Sequence, residues 1–155
     1  THGLRPRSDE GLQGILFAPL LHGDWGHLVS NSLPLLILGF LLALSGLRTF
    51  AITTAIIWVV GGAGVWLVAG TNEIHIGASG VVFGWLVFLI IRGVFARSLG
   101  QIVLGIVVFM AYGTVLLGVL PGEPGVSWQG HLFGAIGGAI AAWFARDDND
   151  VNVAG

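Results

Sequence analysis

Five apolar runs, at about 27–46, 49–70, 79–96, 99–120 and 128–145, divide the sequence, and each is long enough to form one membrane-spanning helix of roughly 20 residues. At about 1.5 Å per residue, such a helix crosses a hydrocarbon core of about 30 Å. Strands are excluded, because the runs exceed strand length and lack the alternation of barrel strands. The pattern predicts an all-α polytopic membrane protein with five transmembrane helices, and no linker divides residues 1–155 into more than one domain. Composition agrees: 55% hydrophobic residues, 9% charged and a mean hydropathy of +0.91 suit a chain whose solvent is lipid.

All six basic residues are arginines, placed near the ends of runs or in polar segments, where a charged group reaches the interface. They form no basic patch, which argues against nucleic acid as a partner. The absence of cysteine removes disulfides, thiolate nucleophiles and cysteine metal sites. A net charge of −2 arises largely from Asp147, Asp148 and Asp150, read as a solvated end. Residues 1–21 are mixed and polar at first, without the basic start, short apolar core and cleavage site of a signal peptide. The sequence does not open on methionine, so it reads as an excerpt with a further helix expected upstream. Between the fourth and fifth runs, Pro-Gly-Glu-Pro-Gly at 121–125 stops any helix, since proline lacks the N–H and clashes with the preceding turn.

Successive spanning helices alternate in direction, so the starts of the first, third and fifth runs share one face of the membrane. His27 and Asn31 lie four apart in the first turns of the first run, on one helical face. Ser79 opens the third run, and His131 lies in the first turn of the fifth. A polar group left unpaired in lipid costs several kcal/mol, so this convergence marks a functional site. Arg48, Arg92, Arg97 and Arg146 fall on the opposite face and only Arg5 and Arg7 on this one; the positive-inside bias then puts the cluster outside the cytoplasm. Gly80 with Gly84, and Gly134 with Gly138, form small-xxx-small pairs that would let the third and fifth helices approach closely.

Taken alone, Ser79 reads as a helix cap, a position serine favours. Paired with His131 it reads as a nucleophile whose proton the imidazole accepts and later returns to a leaving amine. No carboxylate lies inside the runs, so the chemistry on offer is a dyad. Phe83, one turn beyond Ser79, either stacks on the His131 ring or is a lipid-facing or packed core residue. Donors for a tetrahedral oxyanion are the backbone N–H at Ser79, the Asn31 amide and the His27 ring. The competing reading of Asn31 and His27 is interhelical hydrogen bonding. Gly77 would allow close approach of backbone or substrate.

The series His22-Gly-Asp-Trp-Gly-His27-Leu-Val-Ser-Asn31, Gly77-Ala-Ser79-Gly80 and Gly130-His131-Leu-Phe-Gly134 resembles the signature of rhomboid intramembrane serine proteases. That resemblance implies Ser79 as nucleophile, His131 as general base, Asn31 with His27 at the oxyanion, and His22 in support. It also implies a six-helix core, of which the five runs would be the second to sixth helices and the first would precede residue 1. The implied reaction is hydrolysis of a peptide bond in or near the transmembrane segment of a membrane-protein substrate that arrives sideways from the lipid bilayer. The expected setting is the plasma membrane of a prokaryote, with the active site opening to the non-cytoplasmic side. No cofactor or metal is expected. Phe83 departs from the pattern, since some members carry tyrosine there, and the first loop is too short to show the family's Trp-Arg motif. One alternative is a catalytically inactive rhomboid-like membrane binding protein, against which the intact Ser79 and His131 argue. Another is a metal protein using His22, His27, His75 and His131, which no HExxH stretch or intramembrane carboxylate supports.

Overall fold

The computed structural model describes residues 3–149 and is built from six α-helices: α1 (Asp9–Phe17), α2 (Trp25–Ala43), α3 (Leu47–Val68), α4 (Ser79–Ala96), α5 (Leu99–Tyr112) and α6 (Trp128–Phe144). Tighter 3-10 turns follow α1, α5 and α6, at Ala18–Leu20, Gly113–Val119 and Ala145–Asn149. Helices α2, α3, α4 and the combined segment Leu99–Val119 are long and apolar enough to cross a membrane. The fifth expected span, α6, has 17 residues. That gives it about 26 Å at about 1.5 Å per residue, at the short end for a spanning helix. Among the described residues four helices thus have the full length and apolarity of a span, and α6 lies at the lower limit of that length.

Local chemistry sets the boundaries. Helix α2 starts two residues before the apolar run because Asp24 caps it, accepting from the His27 N–H at 2.8 Å. The chain turns at Gly46, whose φ of 100° lies in the region glycine favours, and α3 follows at once. Helix α4 ends where Arg97 adopts a left-handed conformation. Helix α1 was not expected from the mixed composition of residues 1–21. It forms because Ser8 accepts from the Gly11 N–H at 3.0 Å, Asp9 and Glu10 sit in its positive first turn, and α3 receives it. Trp58 and Trp66 of α3 donate their indole N–H groups to the carbonyls of Ile15 and Ser8, and Ile15 packs over Gly62.

Helix α4 is the centre of the bundle. Over its span 56% of residues are buried, against 22%, 17% and 11% for the other three, whose remaining faces are left for lipid. Leu86, Phe88 and Leu89 of α4 are fully buried with Leu38 and Leu42 of α2, Ile57 of α3 and Ala142 of α6. Arg92 departs from the expectation that charged groups reach the interface. Its guanidinium is buried, donates to the Ser45 hydroxyl beyond α2 and lies 5.6 Å from the centre of the Phe88 ring. At the chain's end Arg146 sits over the Trp143 ring and 3.6 Å from Asp147, while Asp150 of the expected acidic tail lies outside the described residues.

Glycines decide how close the helices come. A side chain at Gly134 would strike the carbonyl of Gly80, and one at Gly138 the carbonyl of Gly84, so the two expected pairs do meet across α4 and α6. Gly84 itself points elsewhere, toward the Ile57 side chain of α3. Gly64 makes room for the Phe133 ring between α3 and α6.

Candidate functional site

Ser79 is the first residue of α4, and its side chain does not cap the helix; Ala78 occupies the cap position, with no side-chain hydrogen bond there. The reading of Ser79 as a capping residue therefore falls away. The first hydrogen bond of the helix runs from the Val82 N–H to the Ala78 carbonyl, at 3.1 Å. The N–H groups of Ser79, Gly80 and Val81 precede it and have no partner within the helix. Such a helix start favours negative charge in front of it.

His131 lies one turn into α6, whose start is fixed by Ser127, with Oγ accepting from the Gly130 N–H at 3.1 Å. The ring is held on two sides. Its plane lies within 4° of the Phe83 ring with centroids 4.0 Å apart, and its Nδ1 is 2.8 Å from the carbonyl oxygen of Gly118. A carbonyl oxygen only accepts, so Nδ1 carries a proton, and in the neutral ring Nε2 keeps its lone pair. Gly118 belongs to the 3-10 turn after α5, so a backbone carbonyl takes the orienting place that a carboxylate has in a triad.

Ser79, His131, His27 and Asn31 line one cavity of about 990 Å³, open between the start of α2, the connector before α4 and the loop before α6. Among the described residues nothing is hydrogen-bonded to the Ser79 hydroxyl. Between Ile76 and Ser79, which line this cavity, Gly77 has a φ of 105° and its N–H on the Ala18 carbonyl at 2.8 Å. A Cβ there would stand 2.6 Å from Nε2 of His27, so glycine lets that ring lie against the backbone, while Nδ2 of Asn31, at 3.8 Å, would be in ordinary contact. Asn31 is buried, and its amide donates to the His27 carbonyl of its own helix at 3.1 Å. His22 meets the His27 ring edge-on at 5.2 Å, and its Nε2 is buried without a partner among the described residues.

Sequence reasoning missed two features here. The Gly118 carbonyl carries no signal in the chain, because every residue has one. The second is a polar group beside the site, formed by Glu73, His75, Ser127 and Gln129. Nδ1 of His75 lies 2.7 Å from Oγ of Ser127, its Nε2 lies 3.2 Å from Oε2 of Glu73, and Gln129 donates to that same oxygen at 3.2 Å. Burial lowers the His75 pKa from its ordinary value, and the Glu73 carboxylate offsets part of that. His75 was the one polar residue of the group singled out from sequence, as a metal candidate. Its contacts are instead a hydroxyl and a carboxylate of the chain.

Comparison with known proteins adds the family. A family model described as "Rhomboid domain" matches residues 9–147. Among curated proteins, two described as uncharacterized, from Mycobacterium tuberculosis and Mycobacterium bovis, are each 51% identical over 151 residues, covering 92% of this chain and 63% of theirs. One from Mycobacterium leprae, likewise described, is 50% identical over 151 residues, covering 92% of this chain and 60% of its own. The chain thus spans under two thirds of the length of these relatives. No solved structure matches it.

Proposed function

The chain belongs to the rhomboid family, and on that premise we propose that this integral membrane protein is a serine endopeptidase that cleaves membrane-protein substrates in or near their transmembrane segments. The observation that carries the reading is the presentation of His131. Gly118 and Phe83 hold its ring with Nδ1 engaged as donor and Nε2 left for the base role, on the cavity that Ser79 also lines.

In the proposed reaction, Nε2 of His131 takes the proton of the Ser79 hydroxyl as Oγ attacks the scissile carbonyl carbon. The resulting oxyanion is stabilised by the Ser79 N–H, the free N–H of the Asn31 amide and the His27 ring, all near Gly77. His131 returns its proton to the leaving amine, and water entering through the open cavity hydrolyses the acyl-enzyme by the same steps. Gly77 and His22 support this side of the site. Substrates, the prokaryotic plasma membrane and a non-cytoplasmic opening are part of the proposal, the last from the arginine asymmetry.

One observation favours the alternative of an inactive relative, namely that the Ser79 hydroxyl has no partner among the described residues. Such bonds are often long before substrate binds and tighten in the complex. A serine-reactive fluorophosphonate decides between them. Covalent labelling of the detergent-solubilised protein, lost in Ser79→Ala, is the expected result, and a folded wild-type protein that takes no label would reject the protease.

A further inference from the structure

His75 stands four residues ahead of Ser79 and Ser127 four residues ahead of His131, and these two upstream side chains are bonded to each other at 2.7 Å. We infer that His75 is a positioning residue, which acts through Ser127 to fix the distance between the starts of α4 and α6 and hence between Ser79 and His131. The inference rests on the protease reading of that pair.

The polar group is self-consistent in one arrangement. Ser127 Oγ accepts from the Gly130 N–H, so its own O–H is free to donate to Nδ1 of His75. The proton of His75 then sits on Nε2, 3.2 Å from the Glu73 carboxylate but outside hydrogen-bond geometry to it, and Gln129 of α6 donates to the same carboxylate. Two links therefore run from the connector to α6. The backbone of His75 is itself anchored, its N–H and carbonyl each bonded to Leu4 at 3.0 Å.

Such a clasp adds to the helix contact below it. Where Gly80 faces the Gly130 carbonyl and Gly134 faces the Gly80 carbonyl, the helices meet backbone to backbone, with the Phe83 ring on His131 as the nearby side-chain contact. Glycine contacts permit close approach but interlock no side chains, so they resist sliding and rotation weakly. A hydrogen bond is directional and fixes both. The demand is strict, because a misplacement of about 1 Å at reacting atoms costs on the order of 10²-fold in rate.

The test uses the full chain in detergent, with the rate of fluorophosphonate labelling of Ser79 and the kcat and KM for a single-span reporter substrate. His75→Asn puts an amide where Nδ1 stood and keeps the bond to Ser127. His75→Gln reaches toward Glu73 and loses that bond. His75→Gln is expected to lower kcat and labelling rate about 10- to 100-fold at nearly unchanged KM and melting temperature, and His75→Asn to restore most of the loss. Added to Ser127→Ala, His75→Gln should cause little further loss, since the bond is already gone. Equal activity of His75→Gln and wild type would overturn the inference, as would losses in both variants that follow the melting temperature. A wild type that takes no label would instead overturn the protease reading, and this inference with it.

Discussion

The carbonyl oxygen of Gly118 accepts a hydrogen bond from Nδ1 of His131 at 2.8 Å, so the turn after α5 sets the tautomer of a histidine on α6. The Phe83 ring of α4 covers the same imidazole. The turn after α5, helix α4 and helix α6 thus meet on one ring, and the expected outcomes below follow from that convergence and its surroundings.

Ser79→Ala and His131→Ala should each abolish cleavage, and the double variant should be hardly worse than either, because residues acting as one unit give non-additive losses. Turnover of a reporter substrate measures this. Multiplying losses would mean independent roles. Chelators should leave the rate unchanged, and inhibition reversed by added zinc would favour a metal reading.

Gly118→Ala leaves the carbonyl in place but puts a methyl group 2.8 Å from the tip of the Phe83 ring and 3.2 Å from Nδ1 of His131. Both rings must shift, so kcat should fall about tenfold or more while KM holds, as expected when reacting groups move by a fraction of an ångström. Unchanged kcat would show that the ring tolerates displacement.

Asn31→Ala separates an oxyanion donor from a structural amide. Loss of a donor lowers kcat by about 10²- to 10³-fold with little change in KM. Loss of an interhelical hydrogen bond in a membrane averages about 0.6 kcal/mol of stability instead. Among the described residues the amide bonds only to its own helix, at the His27 carbonyl, so the kinetic pattern is expected. His27→Ala should show a smaller loss of the same kind. An early-melting Asn31→Ala variant with normal turnover in its folded fraction would remove Asn31 from the oxyanion role.

Gly134→Ala and Gly138→Ala each drive a methyl group into a backbone carbonyl of α4, which cannot rotate away as a side chain would. Overpacking of this kind costs about 1–3 kcal/mol, so both should melt earlier and lose activity together. Gly84→Val should do so by a different route, striking Ile57 of α3 rather than separating α4 from α6. Gly100→Ala, which meets nothing within 4 Å, is the control and should melt with the wild type. Equal melting of Gly134→Ala and that control would place Gly134 outside the contact.

The sequence by itself determined the five long apolar helices and the face on which the polar residues gather. Apolar run length is dictated by bilayer thickness, and the alternation of spans then carries His27, Asn31, Ser79 and His131 to one side without reference to any contact. The close pairing of α4 with α6 was legible for a similar reason, because glycine spacing is a one-dimensional record of backbone approach. Only the tertiary structure decided what holds His131, since the Gly118 carbonyl is a backbone group with no residue type to announce it. It also decided that Asp24 and Ser127 cap helices while Ser79 does not, that α1 forms against Trp58 and Trp66, and that His75 is tied to Ser127. The caps are bonds across only three residues, chosen among several candidate polar residues by how the chain enters each helix, whereas the α1 and His75 contacts join residues as many as 58 positions apart, and short-range pattern contains no information about which distant partner arrives.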